Sequence, residues 1–446
     1  MQKHYFCIIH ESIVTTMNKT LIILSLCFCW ITSNAQLSKT EIRNNPLLAA
    51  NGYYAYPGPL KPQLTPAPKG YVPFYISHYG RHGSRYLIDP NDYNGPLRTL
   101  QQADSLGKLT SLGKEVLRKV TLICNESKGR LGELTLRGAE QHQQIARRMF
   151  ERFPEVLSGK RNVDAKSSTV IRCILSMENA LQQLAKLNPQ LQIMHDASEH
   201  DMPYLVYGDT ALHKYKMPGK VKDIYEAFAK RHDNHVGVMN RIFKDESYWR
   251  EHVDATQLNT QLYNLASNVQ STELRHQLSL LDLFTHDELY DAWLKTNAWW
   301  YINYGPSPLN GAVQPYSQRM LLRRIITEAD SCVALSHPGA TLRYGHDTMV
   351  MPLVCLLDIN GYGKQIEDLE RLDDENWLDY RIFPMACNLQ FVFYRSQAHP
   401  HDILVKVLLN EDETTLPIPT DIAPYYHWDE FKTYYLNKID QFQTKK

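Results

Sequence analysis

The five residues Arg81-His82-Gly83-Ser84-Arg85 combine two guanidinium groups, an imidazole and a glycine within one short stretch. A planar guanidinium suits the oxygens of a phosphate group, and an imidazole held between two such groups can attack phosphorus. The glycine allows the backbone to approach a ligand closely. The alternative is an ordinary basic turn after a strand, but a pattern this specific rarely arises from average composition. The stretch therefore favours a site of phosphoryl chemistry.

Two other segments supply side chains that such chemistry needs. Arg172 ends the pattern Ser167-Ser168-Thr169-x-x-Arg, and His346 and Asp347 follow Gly345. Phosphoryl transfer requires positive charge around the phosphate oxygens, a nucleophile in line with the leaving group, and a proton for the departing alkoxide. Without a metal ion, arginines, a histidine and an acid have to provide these functions. Each residue also has a structural alternative, because Arg172 could pair with a carboxylate, His346 could be structural, and Asp347 could cap a helix.

Predicted strands place two of these segments at comparable positions. An apolar, aromatic run from Tyr71 to Tyr79 immediately precedes the 81–85 stretch and predicts a buried strand. A second strand is predicted from Thr341 to Tyr344, shortly before His346. In α/β sheets, ligands bind beyond the carboxyl ends of the strands. We therefore expect His82 and His346 to face the same crevice.

The remaining periodicities alternate helices with strands. A long amphipathic helix is predicted from about residue 134 to 153, followed by a strand near 163–165. The polar residues 167–169 are predicted to cap the next helix. Two closing strands are predicted at 389–394 and 403–409. This alternation predicts the α/β class, with a layered core around a central, mostly parallel sheet.

Changes in composition predict the domain organisation. Residues 71–194 and 331–446 are predicted to form the α/β core. Residues 195–330, which are rich in helical patterns and aromatic side chains, are predicted to form an inserted, mostly helical cap. Residues 36–70 are interpreted as an extended, proline-rich N-terminal arm.

Residues 1–35 are interpreted as an upstream extension and a signal peptide. The signal starts at Met17, carries an apolar run over 21–31 that is too short to span a bilayer, and offers a small-x-small cleavage site that ends at Ala35. The mature protein is therefore expected to be periplasmic or secreted, with no integral membrane segment after signal cleavage.

The composition excludes several kinds of partner. The formal net charge is zero, with 22% charged residues, which gives no support to nucleic acid binding driven by overall charge. Five cysteines remain after cleavage without a C-x-x-C pair, which argues against a zinc site and a dense disulfide framework. The histidine and acidic residues at 195–201 match no defined metal motif. We therefore predict a small phosphorylated molecule as the partner, with no metal and no cofactor.

The predicted insertion contains two further clusters. The residues Trp299-Trp300-Tyr301 are interpreted as cap core rather than as a platform for substrate. A basic stretch ordinarily forms a solvated face, but in a cap it could meet a multiply phosphorylated substrate; its lysines are Lys214, Lys216, Lys220 and Lys222.

Together, the motifs resemble the histidine acid phosphatases, the acid phosphatase and phytase branch of the histidine phosphatase superfamily. The resemblance covers most of the mature chain and includes the 81–85 stretch, the helix start at 134–141, the 167–172 pattern and the 345–348 run. It implies that His82 is the nucleophile that forms a phosphohistidine and that Asp347 is the proton donor. It also implies phosphate-binding roles for four residues, Arg81, Arg85, Arg172 and His346.

Two details bear on the subfamily and point in different directions. Tyr86-Leu87 lacks the proline usual in the family's acid phosphatases and looks more like the multiple inositol polyphosphate phosphatases. Those enzymes typically carry His-Ala-Glu where this chain has His346-Asp347-Thr348. The resemblance implies an exported, metal-independent phosphomonoesterase, with inositol phosphates as one candidate substrate class. A catalytically inactive binding protein for phosphorylated ligands and a phosphate mutase of the same superfamily remain alternatives.

Overall fold

A computed structural model of the chain describes residues 37–206 and 209–443. The predicted signal peptide and its cleavage site lie outside these residues. Eight strands of the described part form a single sheet, namely β1 (Tyr71–Arg81), β2 (Asn162–Ser167), β3 (Gln192–Asp196), β4 (Gly339–Gly345), β5 (Asn388–Ser396), β6 (Ile403–Leu409), β7 (Asp412–Glu413) and β8 (Tyr425–His427).

Helices of the described residues connect and cover these strands. The α-helices are α1 (Leu37–Asn44), α2 (Pro90–Ser105), α3 (Ser111–Ser127), α4 (Leu136–Arg152), α5 (Pro154–Leu157), α6 (Ile171–Leu187), α7 (Met202–Leu205), α8 (Thr210–His213), α9 (Gly219–Arg231), α10 (His235–Ile242), α11 (Glu246–His252), α12 (Ala255–Val269), α13 (His286–Tyr304), α14 (Arg319–Val333), α15 (Asp347–Leu357), α16 (Asp379–Ile382) and α17 (Trp428–Asp440). Short 3-10 segments lie at Pro46–Tyr53, Glu199–Asp201, Glu273–His276, Leu281–Leu283, Pro308–Asn310, Gln314–Gln318, Ile359–Gly361 and Leu369–Arg371.

The strand order of the sheet is β3-β2-β4-β1-β5-β6-β7, and β8 also pairs with β6. The first four strands in this order are mutually parallel, whereas β5 runs against both β1 and β6. Because β7 and β8 each run against β6, five of the eight described strands share one direction. The predicted α/β class with a mostly parallel sheet is confirmed.

The two faces of β1 contact different layers of the core. Ile76 packs in a cluster with Met149 of α4 and Leu181 of α6. Tyr75 and Tyr79 belong to a larger cluster, which includes buried side chains of α2, α12 and α13. Since side chains alternate between the two faces of a strand, this one central strand joins both layers and produces the predicted layered core.

Helices fill the long connection from β3 to β4, where none of the described residues belongs to a strand of the sheet. However, β3 extends to Asp196, so the predicted start of the insertion at residue 195 falls inside a strand. This strand is short and largely exposed, and it lacks the apolar alternation that marks a half-buried strand. The division into core and cap remains a prediction.

The start of α6 differs from the prediction. Its N-cap residue is Val170, which makes no side-chain cap hydrogen bond, so the prediction that residues 167–169 cap this helix is wrong. Instead, the backbone N–H of Ser168 donates to the carbonyl of Tyr344 at 3.0 Å. The polar residues are therefore used to connect the end of β2 to β4.

Within residues 37–206 and 209–443, no helix is both long and apolar enough to cross a membrane. The five cysteines in the same ranges are free thiols. Burial raises the pKa of Cys173 to about 11 and that of Cys387 to about 12. These two thiols are therefore protonated at neutral pH and serve as buried packing groups.

Candidate active site

The carboxyl ends of β1 and β4 bring two of the predicted motifs together. Arg81 is in register with Gly345, and the backbone N–H of His82 donates to the carbonyl of Gly345 at 2.9 Å. The imidazoles of His82 and His346 lie nearly perpendicular, with their centroids 5.5 Å apart. The two histidines therefore share one crevice beyond the strand ends.

A backbone contact fixes the orientation of the His82 ring. Its Nδ1 lies 2.9 Å from the carbonyl oxygen of Gly83. A carbonyl can only accept a hydrogen bond, so Nδ1 carries the proton and Nε2 keeps a free lone pair. Burial lowers the pKa of His82 well below its usual range, and the charges of Arg81 and Arg85 lower it further. The imidazole is therefore neutral, in the form that can act as a nucleophile.

The start of α4 supports the loop that follows His82. Thr135 caps this helix by accepting from the N–H of Gly138 at 3.2 Å, and its hydroxyl donates to the carbonyl of Ser84 at 3.0 Å. The N–H of Ser84 donates to Gln141 Oε1 at 2.9 Å. A Cβ at Gly83 would lie 2.4 Å from the carbonyl oxygen of Gly138. The loop can therefore rest on the helix only because Gly83 lacks a side chain.

Arg81 is held rigidly beneath the crevice. Its side chain is 2% exposed, and Nη1 donates to the carbonyls of Gly52 and Phe383 at 2.6 and 2.7 Å. Nη2 forms an ion pair with Asp347 Oδ2 at 2.5 Å. The two backbone carbonyls thus fix the guanidinium, and its second nitrogen faces the acid.

Asp347 is the first residue of α15, and its side chain is 15% exposed. Oδ1 accepts from the backbone N–H of Thr348 at 2.8 Å. Burial alone would raise the pKa of Asp347, but the charges of Arg81 and Arg85 outweigh burial and lower the pKa below its ordinary value. In this state of the site, Asp347 is a carboxylate at neutral pH.

Two further cationic side chains complete the cluster. Arg85 donates from Nη1 to the carbonyl of Tyr86 at 2.8 Å, and its guanidinium lies 5.4 Å from the ring centroid of Tyr53. Arg172 Nη2 lies 3.2 Å from His346 Nε2, and because a guanidinium only donates, this imidazole nitrogen accepts. Burial lowers the pKa of His346 to about 4. His346 is therefore neutral, with Arg172 as its donor.

The charge of this cluster suits an anion. Burial lowers the pKa of Arg172, and the neighbouring charge of Arg85 lowers it further. The Nε atoms of Arg81, Arg85 and Arg172 are each buried and have no hydrogen-bond partner within the described part of the chain. An oxyanion would offset the mutual repulsion of three guanidinium groups held in one place.

The structure brings together all six residues that the sequence analysis singled out, but the supports of Arg81 were missed. Gly52 and Phe383 contribute only carbonyl oxygens, and a backbone acceptor leaves no signal of residue type. Tyr53 stands in a 3-10 segment without a recognisable motif. Outside the crevice, His195 pairs with Glu178 at 2.6 Å on the surface. Among the described residues, no group of three or more His, Cys, Asp or Glu side chains could hold a metal ion.

Comparisons with known proteins place this geometry in a family. The model of the histidine phosphatase superfamily (branch 2) matches residues 80–410. The multiple inositol polyphosphate phosphatase 1 of Gallus gallus is 23% identical over 330 residues, which are 66% of this chain and 69% of that protein. Because the family model covers more than half of the chain, the chain belongs to branch 2 of the histidine phosphatase superfamily. The predicted family is confirmed, and with it the predicted enzyme class, a histidine-type phosphoric monoester hydrolase.

Solved structures share the fold. The complex of Bifidobacterium longum multiple inositol polyphosphate phosphatase with inositol hexasulfate gives a TM-score of 0.69 at 18% identity, over 87% of this chain and 97% of that chain. The phytase from D. castellii gives a TM-score of 0.67 at 11% identity, over 89% and 85% of the two chains. At these identities the likeness concerns the fold alone.

Proposed function

We propose that the protein is an exported, metal-independent phosphomonoesterase that works through a phosphohistidine on His82. The orientation of His82 carries this proposal, because Gly83 holds the proton on Nδ1 and leaves the lone pair of Nε2 for the substrate. Arg81, Arg85 and Arg172 supply the positive charge that a metal ion would otherwise provide. Export rests on the signal-like sequence of residues 17–35.

The reaction has two chemical steps. Arg81, Arg85, Arg172 and His346 bind the oxygens of the phosphate group, and His82 Nε2 attacks phosphorus. The bond from phosphorus to the ester oxygen breaks, and the departing alkoxide takes a proton from Asp347. Water then attacks the phosphohistidine while the Asp347 carboxylate accepts its proton. The P–N bond breaks and releases inorganic phosphate and neutral His82.

Asp347 has to gain a proton before the first step. Its ion pair with Arg81 keeps it ionised when the crevice holds no anion. A bound phosphate competes for the Arg81 guanidinium and brings negative charge next to the carboxylate, and both effects raise the pKa of Asp347. Activity should therefore be highest on the acidic side and should fall as rising pH removes this proton from the bound complex.

Inositol phosphates are the substrate class that we propose. This part rests on the names of the similar proteins, a multiple inositol polyphosphate phosphatase and a phytase. A binding protein for phosphorylated ligands would need neither the free Nε2 of His82 nor an acid at Asp347. A mutase would return the phosphate to another position of the same molecule, so it would release no net phosphate.

The test is the release of inorganic phosphate from p-nitrophenyl phosphate and from inositol hexakisphosphate, with and without EDTA. We expect release from both substrates and no loss of activity with the chelator. Activity that EDTA removes and a divalent ion restores would contradict metal independence. An absence of net release, with a folded protein, would instead support the binding protein or the mutase.

A further inference from the structure

An aromatic wall leads from the crevice into the helical connection between β3 and β4. The guanidinium of Arg81 lies 6.0 Å from the ring centroid of Phe383. The ring of Phe383 contacts that of Trp300 in α13, with centroids 4.7 Å apart, and Trp300 contacts Tyr304 at 5.0 Å. Phe383, Trp300 and Tyr304 therefore form a continuous surface, here named the aromatic wall, that begins at a phosphate-binding candidate.

A lysine lies at the far end of this wall. The ammonium of Lys216 is 3.9 Å from the ring centroid of Tyr304. The carbonyl of Lys216 accepts from Asn310 Nδ2 at 3.1 Å, and the same amide donates to the carbonyl of Ile302 at 2.5 Å. Asn310 therefore ties the backbone of Lys216 to the end of α13, so the ammonium is placed by the fold rather than by a free surface chain.

The charge of Lys216 is held where it costs free energy. Its side chain is half-buried, and burial lowers its pKa to about 8. Taking an ammonium out of water is unfavourable unless a partner offsets the loss. A cation over an aromatic ring recovers only part of that cost. A multiply charged anion would recover considerably more, because it would meet the ammonium in partly desolvated surroundings.

Tyr304 also connects Lys216 with the reacting groups. Burial raises the pKa of Tyr304 to about 12, and the negative charge of Asp347 contributes to the rise. The phenol is therefore within electrostatic reach of the proposed acid, while the ammonium lies against the same ring. A substrate whose reacting phosphate occupies the arginine cluster would present its other substituents along the aromatic wall towards Lys216.

We propose that Lys216 is a specificity-determining residue that binds a second phosphate group of a multiply phosphorylated substrate. The inference deepens the proposed function and rests on it for the position of the first phosphate. The other lysines of the basic stretch have different surroundings. Lys222 is 62% exposed and pairs with Glu226 at 3.6 Å within its own helix, so it offers a matched control.

The test is a calorimetric titration with inositol hexasulfate, which carries six anionic groups and releases no phosphate, and with inorganic sulfate as the single-group probe. Wild type, Lys216→Met and Lys222→Met are compared. Loss of one charge-assisted contact should weaken hexasulfate binding roughly tenfold in Lys216→Met. Binding of inorganic sulfate should change much less, and Lys222→Met should follow the wild type for both probes.

A pH series provides a second readout. Lys216 loses its charge as pH rises through about 8, so hexasulfate binding by the wild type should weaken between pH 7 and pH 9. The groups around it do not produce this change, because the pKa of Tyr304 lies higher and burial lowers the pKa of His213. Asp347 is already ionised in this range in the absence of an anion. The pH dependence should be absent from Lys216→Met.

Equal weakening of both probes in Lys216→Met, or hexasulfate binding equal to that of Lys222→Met, would overturn the proposal. Because binding is measured without turnover, the result is separate from the proposed function. A wild-type protein that releases no phosphate while Lys216→Met selectively loses hexasulfate would contradict the phosphomonoesterase proposal and leave the role of Lys216 in place.

Discussion

The catalytic floor and the aromatic wall are built by different kinds of contact. The catalytic floor, which consists of residues 81–85, Arg172, His346 and Asp347, is positioned mainly by backbone hydrogen bonds at the ends of strands. The aromatic wall is positioned by rings that pack between a helix and a loop. The floor can therefore keep its geometry while the wall changes, which separates the chemistry from the choice of substrate.

Phe383 is the point at which the two regions meet. Its carbonyl accepts from Arg81 at 2.7 Å, and its ring begins the aromatic wall. A change in its side chain alters the wall but leaves the carbonyl in place. This arrangement predicts that substitutions in the floor act on the rate of every substrate, whereas substitutions in the wall act on some substrates and not on others.

The largest effect is expected at the nucleophile. His82→Ala removes the only atom proposed to form the bond to phosphorus, so turnover of all substrates should fall on the order of a thousandfold or more. Steady-state rates on p-nitrophenyl phosphate and inositol hexakisphosphate measure the loss, and circular dichroism controls for folding. A folded variant with near-normal rates would end the assignment of His82.

A smaller and substrate-dependent effect is expected at the acid. An alkoxide leaves poorly unless it is protonated, whereas p-nitrophenolate leaves with little help. Asp347→Asn should therefore slow the hydrolysis of inositol phosphates or alkyl phosphates about a hundredfold, and that of p-nitrophenyl phosphate far less. Steady-state rates on both substrate types provide the comparison. The same factor of loss on each substrate would show that Asp347 is not the leaving-group acid.

The smallest effect is expected at a buried carboxyl behind the wall. Asp379 accepts from Trp293 Nε1 at 2.8 Å, and burial raises its pKa to about 7. The folded protein therefore retains a proton that the unfolded chain releases between about pH 4 and 7, so this group loses stability as pH rises through that window. Asp379→Asn does not ionise and should reduce the fall in Tm from pH 5 to pH 8 by a few degrees.

Thermal unfolding of both proteins at the two pH values measures this difference. The asparagine keeps an oxygen that can accept from Trp293, so the loss of a hydrogen bond should not mask the result. An identical fall in Tm for the wild type and Asp379→Asn would mean that the carboxyl is already ionised in the folded state. The rates on p-nitrophenyl phosphate serve as a check that the catalytic floor is intact.

The sequence predicted the catalytic floor because each part of it follows a strand or opens a helix. The apolar run before Arg81 and the strand before His346 are local signals, and the two strands place both motifs at one edge of the sheet. Strand β3 was missed because its five residues are mostly exposed and carry no alternating pattern. The wrong cap at residues 167–169 has a similar cause, since the backbone of Ser168 bonds across to β4 rather than along its own helix.

The aromatic wall could not be predicted in the same way. Phe383 and Lys216 are far apart in sequence, and they are connected only through Trp300 and Tyr304 of α13. Which lysine of the basic stretch meets a ring depends on how a helix packs, which spacing does not encode. The interpretation of Trp300 as part of the cap interior omitted its contact with Phe383. Long-range packing decides specificity here, whereas short motifs decide chemistry.

The central claim is that a phosphoryl group is transferred to His82 before water releases it. The direct measurement is a rapid quench in alkali, where a phosphohistidine survives, after the enzyme is mixed with a ³²P-labelled substrate. The account predicts protein-bound label that peaks within the first turnover, maps to the peptide containing His82, and is absent from His82→Ala. Turnover at the normal rate without labelled protein, or label on another residue, would contradict it.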